Sequence, residues 1–156
     1  MLRRIHIYLA DADMPAIVSA MHYNVAGIYY EQENSLLVPQ WRERSGLAAG
    51  LRSSLGRFSM RDKNLREHKK TDWPSFLASH SHSVRDFEST YLCIVVQASN
   101  DAELVYDANV QPRGEPDISL HLAINPRDPD EEIERRLVRL FDEASVWAVK
   151  LRTIRA

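Results

Sequence analysis

The sequence predicts an α+β domain in which a mostly antiparallel sheet of about four strands carries helices packed on one face. Three observations support this class. Apolar residues alternate with polar ones near the amino terminus, and apolar residues recur at helical spacing over the following 75 residues or so. Late in the chain come one segment rich in β-branched and aromatic residues and two alternating segments. The predicted order is β-α-α-α-β-β-β-α. A chain of 156 residues is expected to form one domain, spanning residues 1–156.

The first half of the chain predicts one strand and three helices. Ile5, Ile7 and Leu9 alternate as on a half-buried strand. Residues 14–33 have apolar side chains three and four apart, which predicts an amphipathic helix. A second helix is predicted from about Pro39, where Gly46 and Gly50 suggest a close approach to another helix. A third is predicted over 72–87.

The second half predicts a meander followed by a helix. Residues 90–97 are rich in β-branched and aromatic side chains and predict a central strand. In residues 104–110 and 118–124 apolar and polar side chains alternate, and a turn that contains Gly114 and Pro116 is predicted between them. The last helix is predicted to open at Asp128-Pro129, because the acids over 130–132 complement the dipole of a helix amino terminus.

Composition excludes several classes of protein. Hydrophobic residues make up 44% of the chain, which is too many for a disordered protein. The longest apolar run, residues 92–96, is far too short to cross a membrane. The single cysteine, Cys93, cannot form an internal disulfide, so a reducing compartment, the cytoplasm, is expected. No phosphate-binding loop or nucleophile elbow occurs, and no cofactor is predicted.

Charge is distributed unevenly along the chain. Residues 41–85 carry ten Lys or Arg against four acids, whereas residues 86–156 carry fourteen acids against eight bases. The net charge of −2 conceals this asymmetry. An acidic half would attract a basic partner and speed its association.

The preferred functional hypothesis is a non-catalytic protein-binding domain. It would be a bacterial-type immunity or inhibitor protein that neutralises a basic toxin, such as a nuclease, through an acidic and aromatic surface. Its oligomeric state is not predicted. The candidate partner-binding residues are Asp101, Glu103, Asp107, Asp117, Asp130 and Glu131, with Tyr8, Tyr106 and His121 as anchors.

A second hypothesis is a nucleic-acid-binding or regulatory protein. The basic segment of the chain would contact phosphates, and Phe58 and Trp73, which flank it, would stack on bases. Against it, the sequence pI of about 6.3 is low for a nucleic-acid-binding domain. The candidate residues are Arg57, Arg61, Lys63, Arg66, Lys69 and Lys70.

A third hypothesis is a metal-dependent hydrolase in which His6, His121 and a carboxylate from another strand hold the ion. His80 and His82 are interpreted as solvated residues of the third predicted helix, since side chains two apart do not share a helix face. Cys93 lies in the most apolar segment and is expected to be an inert core residue. No metal site is therefore predicted from the sequence.

Overall fold

The computed structural model describes residues 2–11, 13–43, 45–63, 69, 72–98, 100, 104–110 and 118–154. Of residues 104, 106–110, 118 and 148–154 it describes the backbone alone. The strands are β1 (Arg3–Leu9), β2 (Ala16–Tyr23), β3 (Tyr29–Glu31), β4 (Leu36–Val38), β5 (Ser59–Met60), β6 (Leu92–Ala98), β7 (Leu104–Val110) and β8 (Ile118–Ile124). The helices are α1 (Leu47–Arg57), α2 (Pro74–Ser79), α3 (Val84–Thr90) and α4 (Asp130–Ile154).

The strands form one open sheet in the order β3-β2-β1-β6-β7-β8. Every pairing along this path is antiparallel. Strand β4 also pairs with β2 in an antiparallel sense, and only the short β5 pairs with β2 in parallel. The α+β class with a mostly antiparallel sheet is therefore confirmed.

One face of the sheet is covered by α1 and α4. Ile5, Ile7 and Leu9 point to this side from β1, and Leu51 and Leu137 meet them from the two helices. Together they belong to the larger hydrophobic cluster of the structure. Fully burying a side chain of this type contributes roughly 1.5–3 kcal/mol, so this layer supplies much of the stability.

The long helix α4 also fixes the start of α1. The Glu134 carboxylate accepts hydrogen bonds from the backbone N–H groups of Gly46 and Ala48, at 2.7 and 3.2 Å. These N–H groups have no partner within their own helix, so a carboxylate from a neighbouring helix serves as the cap. Arg42 and Asp142 add an exposed ion pair between the same regions, at 2.7 Å.

The other face of the sheet is covered on the β1–β2 side by α2 and α3. Phe76 and Phe87 pack there against Tyr8 and Ile17 in a second hydrophobic cluster. Helices therefore lie on both faces rather than on the single face expected from the sequence. This arrangement arises because the β1 side chains alternate, so that Tyr8 points away from Ile7 and needs cover of its own.

The predicted helix over 14–33 is wrong. Strands β2 and β3 lie within it, and all the residues of β2 from Ala16 to Met21 are buried. A strand covered on both faces is apolar at nearly every position, so it matches helical spacing as well as any other. The chain then turns at 24–27, where the Asn24 side chain accepts from the N–H groups of Ala26 and Ile28 and Gly27 has a φ of 82°.

The two other early helices also differ from prediction. The second begins at Leu47 rather than Pro39, and Gly50 closely approaches Leu36 of strand β4, not another helix. The third is two helices, since α2 ends at His80 in a left-handed conformation and Ser83 caps α3 by accepting from the Asp86 N–H. The observed order therefore replaces β-α-α-α at the start of the chain with four strands, α1, β5, α2 and α3. The predicted meander and last helix are present.

Candidate functional site

The outer face of strands β6 to β8, opposite α4, carries exposed and half-buried side chains in the described part of the sheet. On β8 the side chains of Ser119, His121 and Ala123 are exposed. Neighbouring Val95 and Gln97 of β6 are half-buried, as is Val105 of β7. We call these six residues the open face. The helices α2 and α3 cover the adjoining β1–β2 part of the same side.

The register places two predicted partner-binding residues opposite each other on this face. Asp107 pairs with His121, and on its other side Asp107 pairs with Val95. Tyr106 pairs with Leu122 and Val96, and these two residues contribute to the cluster under α1 and α4. By this register Tyr106 belongs to the side of the sheet that α1 and α4 cover, which is not the face of His121.

Tyr8 is not a surface anchor. Only 2% of Tyr8 is exposed, and its ring packs against Trp73 and Phe87 at 5.9 and 5.1 Å between ring centroids. The anchor role predicted for Tyr8 is corrected accordingly, because α2 and α3 cover the surface on which it was expected to project.

The predicted acidic residues have different environments. Asp130 pairs with Arg52, which also donates to the carbonyl oxygens of Pro126 and Asp128 at 3.2 and 2.8 Å. Asp130 thus helps fasten the start of α4 to α1. Glu131 follows it and is exposed. The candidates outside the described residues are Asp101, Glu103 and Asp117.

The predicted basic segment is only partly described. Arg57, at the end of α1, donates to the carbonyl oxygens of Glu33 and Asn34 at 3.1 and 3.3 Å. Arg61 and Lys69 are exposed, and Lys63 is half-buried. Arg66 and Lys70 lie outside the described residues.

The two stacking residues predicted beside the basic segment are separated. Trp73 is half-buried and packs against the cluster around Tyr8. Phe58 lies 6.2 Å from Tyr29 between ring centroids. The structure instead brings Tyr30 and His22 close to Arg61 and Lys63, around a pocket of about 140 Å³.

The histidines predicted for a metal site are far apart. His6 pairs with Val95, Val95 with Asp107 and Asp107 with His121, so three strand spacings separate His6 from His121. At about 4.8 Å per strand this is roughly 14 Å, which is too far for one ion to bind both imidazoles. Among the described residues, no group of three or more His, Cys, Asp or Glu side chains is arranged to hold a metal.

A buried polar cluster centred on Glu31 joins the sheet to α2. Its carboxylate accepts from the Tyr8 hydroxyl at 2.6 Å and from the Ser75 hydroxyl and N–H at 2.6 and 3.0 Å. His6 Nδ1 lies 3.4 Å from the same carboxylate and 3.2 Å from the Tyr8 hydroxyl. A charged side chain that is only 4% exposed is stable here because several donors surround it.

The direction of the serine hydrogen bonds in this cluster follows from Glu31. Ser75 uses its one hydroxyl hydrogen on the carboxylate, so it accepts from Ser19 at 2.6 Å. Ser19 in turn accepts from Ser35 at 2.7 Å. The chain of hydroxyls connects β2, the loop before β4 and the first turn of α2.

The environment holds Glu31 ionised. Burial favours the neutral acid, but hydrogen bonds from His6, Ser75, Tyr8 and Trp73 outweigh it and lower the Glu31 pKa. Burial, together with the negative charges that Cys93 and Glu31 would carry, raises the Tyr8 pKa well above its usual value. The groups of this cluster hydrogen-bond to one another, which is the pattern of a structural cross-link.

Burial raises the pKa of Cys93 to about 12. Its thiol lies beside Tyr8, and the residue packs against the second hydrophobic cluster. A thiol with such a pKa is almost entirely protonated at neutral pH and therefore a weak nucleophile. The expectation of an inert cysteine agrees with this environment.

Sequence reasoning missed the Glu31 cluster. Tyr8 and Glu31 are 23 residues apart, and their contact depends on β2 lying between their strands. One local signal was present, because Asn24 and Gly27 are typical turn residues and would have divided the predicted helix into a hairpin.

Comparisons with known proteins establish likeness of fold. No protein-family model matches the chain, and no curated protein matches it. A solved structure, a protein of unknown function from Neisseria meningitidis, is similar with a TM-score of 0.68 and 11% identity. The match covers 92% of this chain and 95% of the neisserial one. None of the described helices is both long and apolar enough to span a membrane.

Proposed function

We propose that this chain is a non-catalytic protein-binding domain of the bacterial immunity type. It would neutralise a basic toxin, such as a nuclease, by covering it with the open face, where Asp107 lies in register with His121. The observation that carries the proposal is the exposure of Ser119, His121 and Ala123 on the side of the sheet opposite α4.

The shape of the open face suits a protein partner. Ser119 and Ala123 are small, so a partner can approach the sheet closely on both sides of His121. Strand β8 is also the last strand of the described sheet order. An edge of this kind can pair with an extended segment of another chain as well as pack against it.

Charge complementarity supports a basic partner. Residues 86–156, which include β6 to β8 and α4, carry six more acids than bases. Glu131 is one exposed member of this set, and Asp107 lies opposite His121 in the register. Complementary charge speeds the encounter of two proteins and discriminates against partners of the wrong sign.

Capture from a lysate of the source cells tests the proposal with a matched pair of variants. Ala123→Arg places a long cationic side chain on the open face, whereas Ala49→Arg makes the same change at an exposed position of α1. Bound material is identified by mass spectrometry at low and high salt, with and without nuclease treatment.

We expect the wild type and Ala49→Arg to retain one stoichiometric basic protein, and Ala123→Arg to lose it. Retention of that protein by Ala123→Arg would show that the open face is not the binding surface. Capture of nucleic acid alone, released by salt, would refute the protein-binding function itself.

A further inference from the structure

The corner where β2, β3 and β5 meet presents two aromatic rings beside two cations. Tyr30 and His22 are register partners, and their ring centroids lie 5.2 Å apart. The Lys63 amino group lies 5.8 Å from the centroid of the Tyr30 ring. With Arg61, these residues line the pocket described above.

Three hydrogen bonds hold this arrangement in place, two of them through the backbone of Arg61. The Arg61 N–H donates to the Tyr23 carbonyl at 3.1 Å, and the Tyr30 hydroxyl donates to the Arg61 carbonyl at 2.7 Å. The His22 imidazole bonds to the Ser59 hydroxyl at 2.9 Å. The segment after β5 is thus fixed to the sheet by contacts that do not involve the Arg61 guanidinium or the Lys63 amino group.

Three cations lie near His22. Partial burial lowers the His22 pKa, and the charges of Arg61, Lys63 and Arg57 lower it further. Neutral imidazole and phenol rings beside cations are suited to a ligand that has both an anionic group and a flat ring. Stacking on an aromatic side chain contributes about 1–3 kcal/mol per base, and phosphate binding requires clustered Lys or Arg.

We propose that this corner binds a nucleotide unit, with its phosphate on Arg61 and Lys63 and its base against Tyr30. The site lies at the β3 end of the sheet order, and the open face lies at the β8 end. The proposal is therefore independent of the protein-binding function. A nucleotide of a single strand and a free nucleotide present the same chemistry to these residues.

Three carboxylates oppose the phosphate. The exposed Asp62 and Glu33 and the buried, ionised Glu31 also line the pocket. Their repulsion makes the affinity modest, and it gives the proposal a distinctive consequence. Removing the Asp62 charge should tighten binding, whereas removing the charge of an exposed acid elsewhere should not change it.

Fluorescence anisotropy with a labelled single-stranded oligothymidylate tests the site, with unlabelled thymidine monophosphate as competitor. Arg61→Gln and Lys63→Gln should each weaken binding several-fold and reduce the salt dependence by about 0.7 in the log–log slope. Asp62→Asn should tighten binding several-fold. The matched controls are Arg127→Gln and Asp11→Asn, both at exposed positions outside the pocket lining, and neither should change it.

The contact between the base and Tyr30 is tested separately. Tyr30→Leu should weaken binding more than Tyr30→Phe, which keeps the ring and loses only the hydroxyl bond to the Arg61 carbonyl. An abasic oligonucleotide of the same length should bind less well than oligothymidylate. Competition by the monophosphate would show that a free nucleotide suffices. Its failure, with oligonucleotide binding intact, would assign the site to a strand.

Three results would overturn the proposal. They are no binding of either probe, equal binding of the abasic oligonucleotide, or binding that is unaffected when Arg61 and Lys63 are both changed to Gln. All the varied side chains are exposed or half-buried, and a circular dichroism spectrum of each variant verifies that its fold is retained.

Discussion

At the scale of single residues, the Glu31 carboxylate is a buried charge surrounded by hydrogen-bond donors. It is nearly inaccessible yet ionised, and it receives hydrogen bonds from β1 and from the first turn of α2. Hydrogen bonds to a charged group contribute more than those between neutral groups, and unsatisfied buried partners are costly. This carboxylate is therefore expected to determine whether α2 stays docked on the sheet.

Replacing Glu31 with Gln should destabilise the protein by about 2–3 kcal/mol. The amide group would face hydroxyl and N–H donors with one oxygen instead of two. Urea unfolding followed by circular dichroism measures the change. Glu88→Gln, at an exposed position on α3, is the matched control and should change the free energy of unfolding by less than about 0.5 kcal/mol.

The difference in stability between wild type and Glu31→Gln is expected to depend on pH. The folded pKa of Glu31 lies below its usual value of 4.5, so ionisation stabilises the folded state above that pH. The stabilisation is lost as the pH falls through the folded pKa. The stability difference between wild type and Glu31→Gln should thus be largest near neutrality and shrink below pH 4.5. A difference that grows in acid would contradict an ionised Glu31.

At the scale of elements, α1 lies unusually close to strand β4. A Cβ atom at Gly50 would lie 2.7 Å from a terminal methyl group of Leu36, within 3.7 Å of Val38 and within 3.8 Å of Val18. An alanine here would displace the end of the flexible Leu36 side chain, which is 40% exposed, whereas a larger side chain would also meet Val38 and Val18. At Gly56, in the last turn of the same helix, a Cβ atom would meet nothing within 4 Å.

This contrast predicts opposite effects of two glycine substitutions in one helix. Gly50→Leu should destabilise the protein by about 1–3 kcal/mol, because its side chain has no space against β4. Gly56→Ala should stabilise it by about 0.5–1 kcal/mol, since alanine favours the helix and restricts the unfolded chain. Urea unfolding measures both, and equal stability of Gly50→Leu and wild type would show that α1 and β4 do not pack this closely.

How well each element was predicted depended on how it is buried. Strand β8 has exposed Ser119, His121 and Ala123 alternating with residues turned toward α4, so its period of two is visible in the sequence. Strand β2 is buried on both faces, and its period is lost. The sequence therefore predicted β1 and the second half of the fold, whereas it misassigned β2 and β3 as one helix.

The misassignment of β2 and of the helices that follow it also affected the candidate sites. His121 was predicted on an outward-facing position and is exposed. Tyr8 was expected on the same outward surface, but the helices that cover it come from a segment predicted to pack elsewhere. The aromatic pair of His22 and Tyr30 depends on the β2–β3 register, which no pattern within either segment specifies.

At the scale of the whole molecule, the sheet is covered unequally. Helices α1 and α4 cover one face, and α2 and α3 cover the β1–β2 part of the other. The remaining part, the open face, lies in the acidic half of the chain, and the aromatic and basic corner lies at the opposite end of the sheet order.

Hydrogen–deuterium exchange of the protein with and without its captured partner tests the claim that the partner covers the open face and the edge strand β8. The claim predicts slower exchange in peptides covering 118–124, where an added strand or a packed partner protects the edge of the sheet. Peptides covering 47–57 of α1 serve as the internal control and should be unaffected. Protection confined to 59–63, or to α1, would contradict the claim and place the partner on another surface.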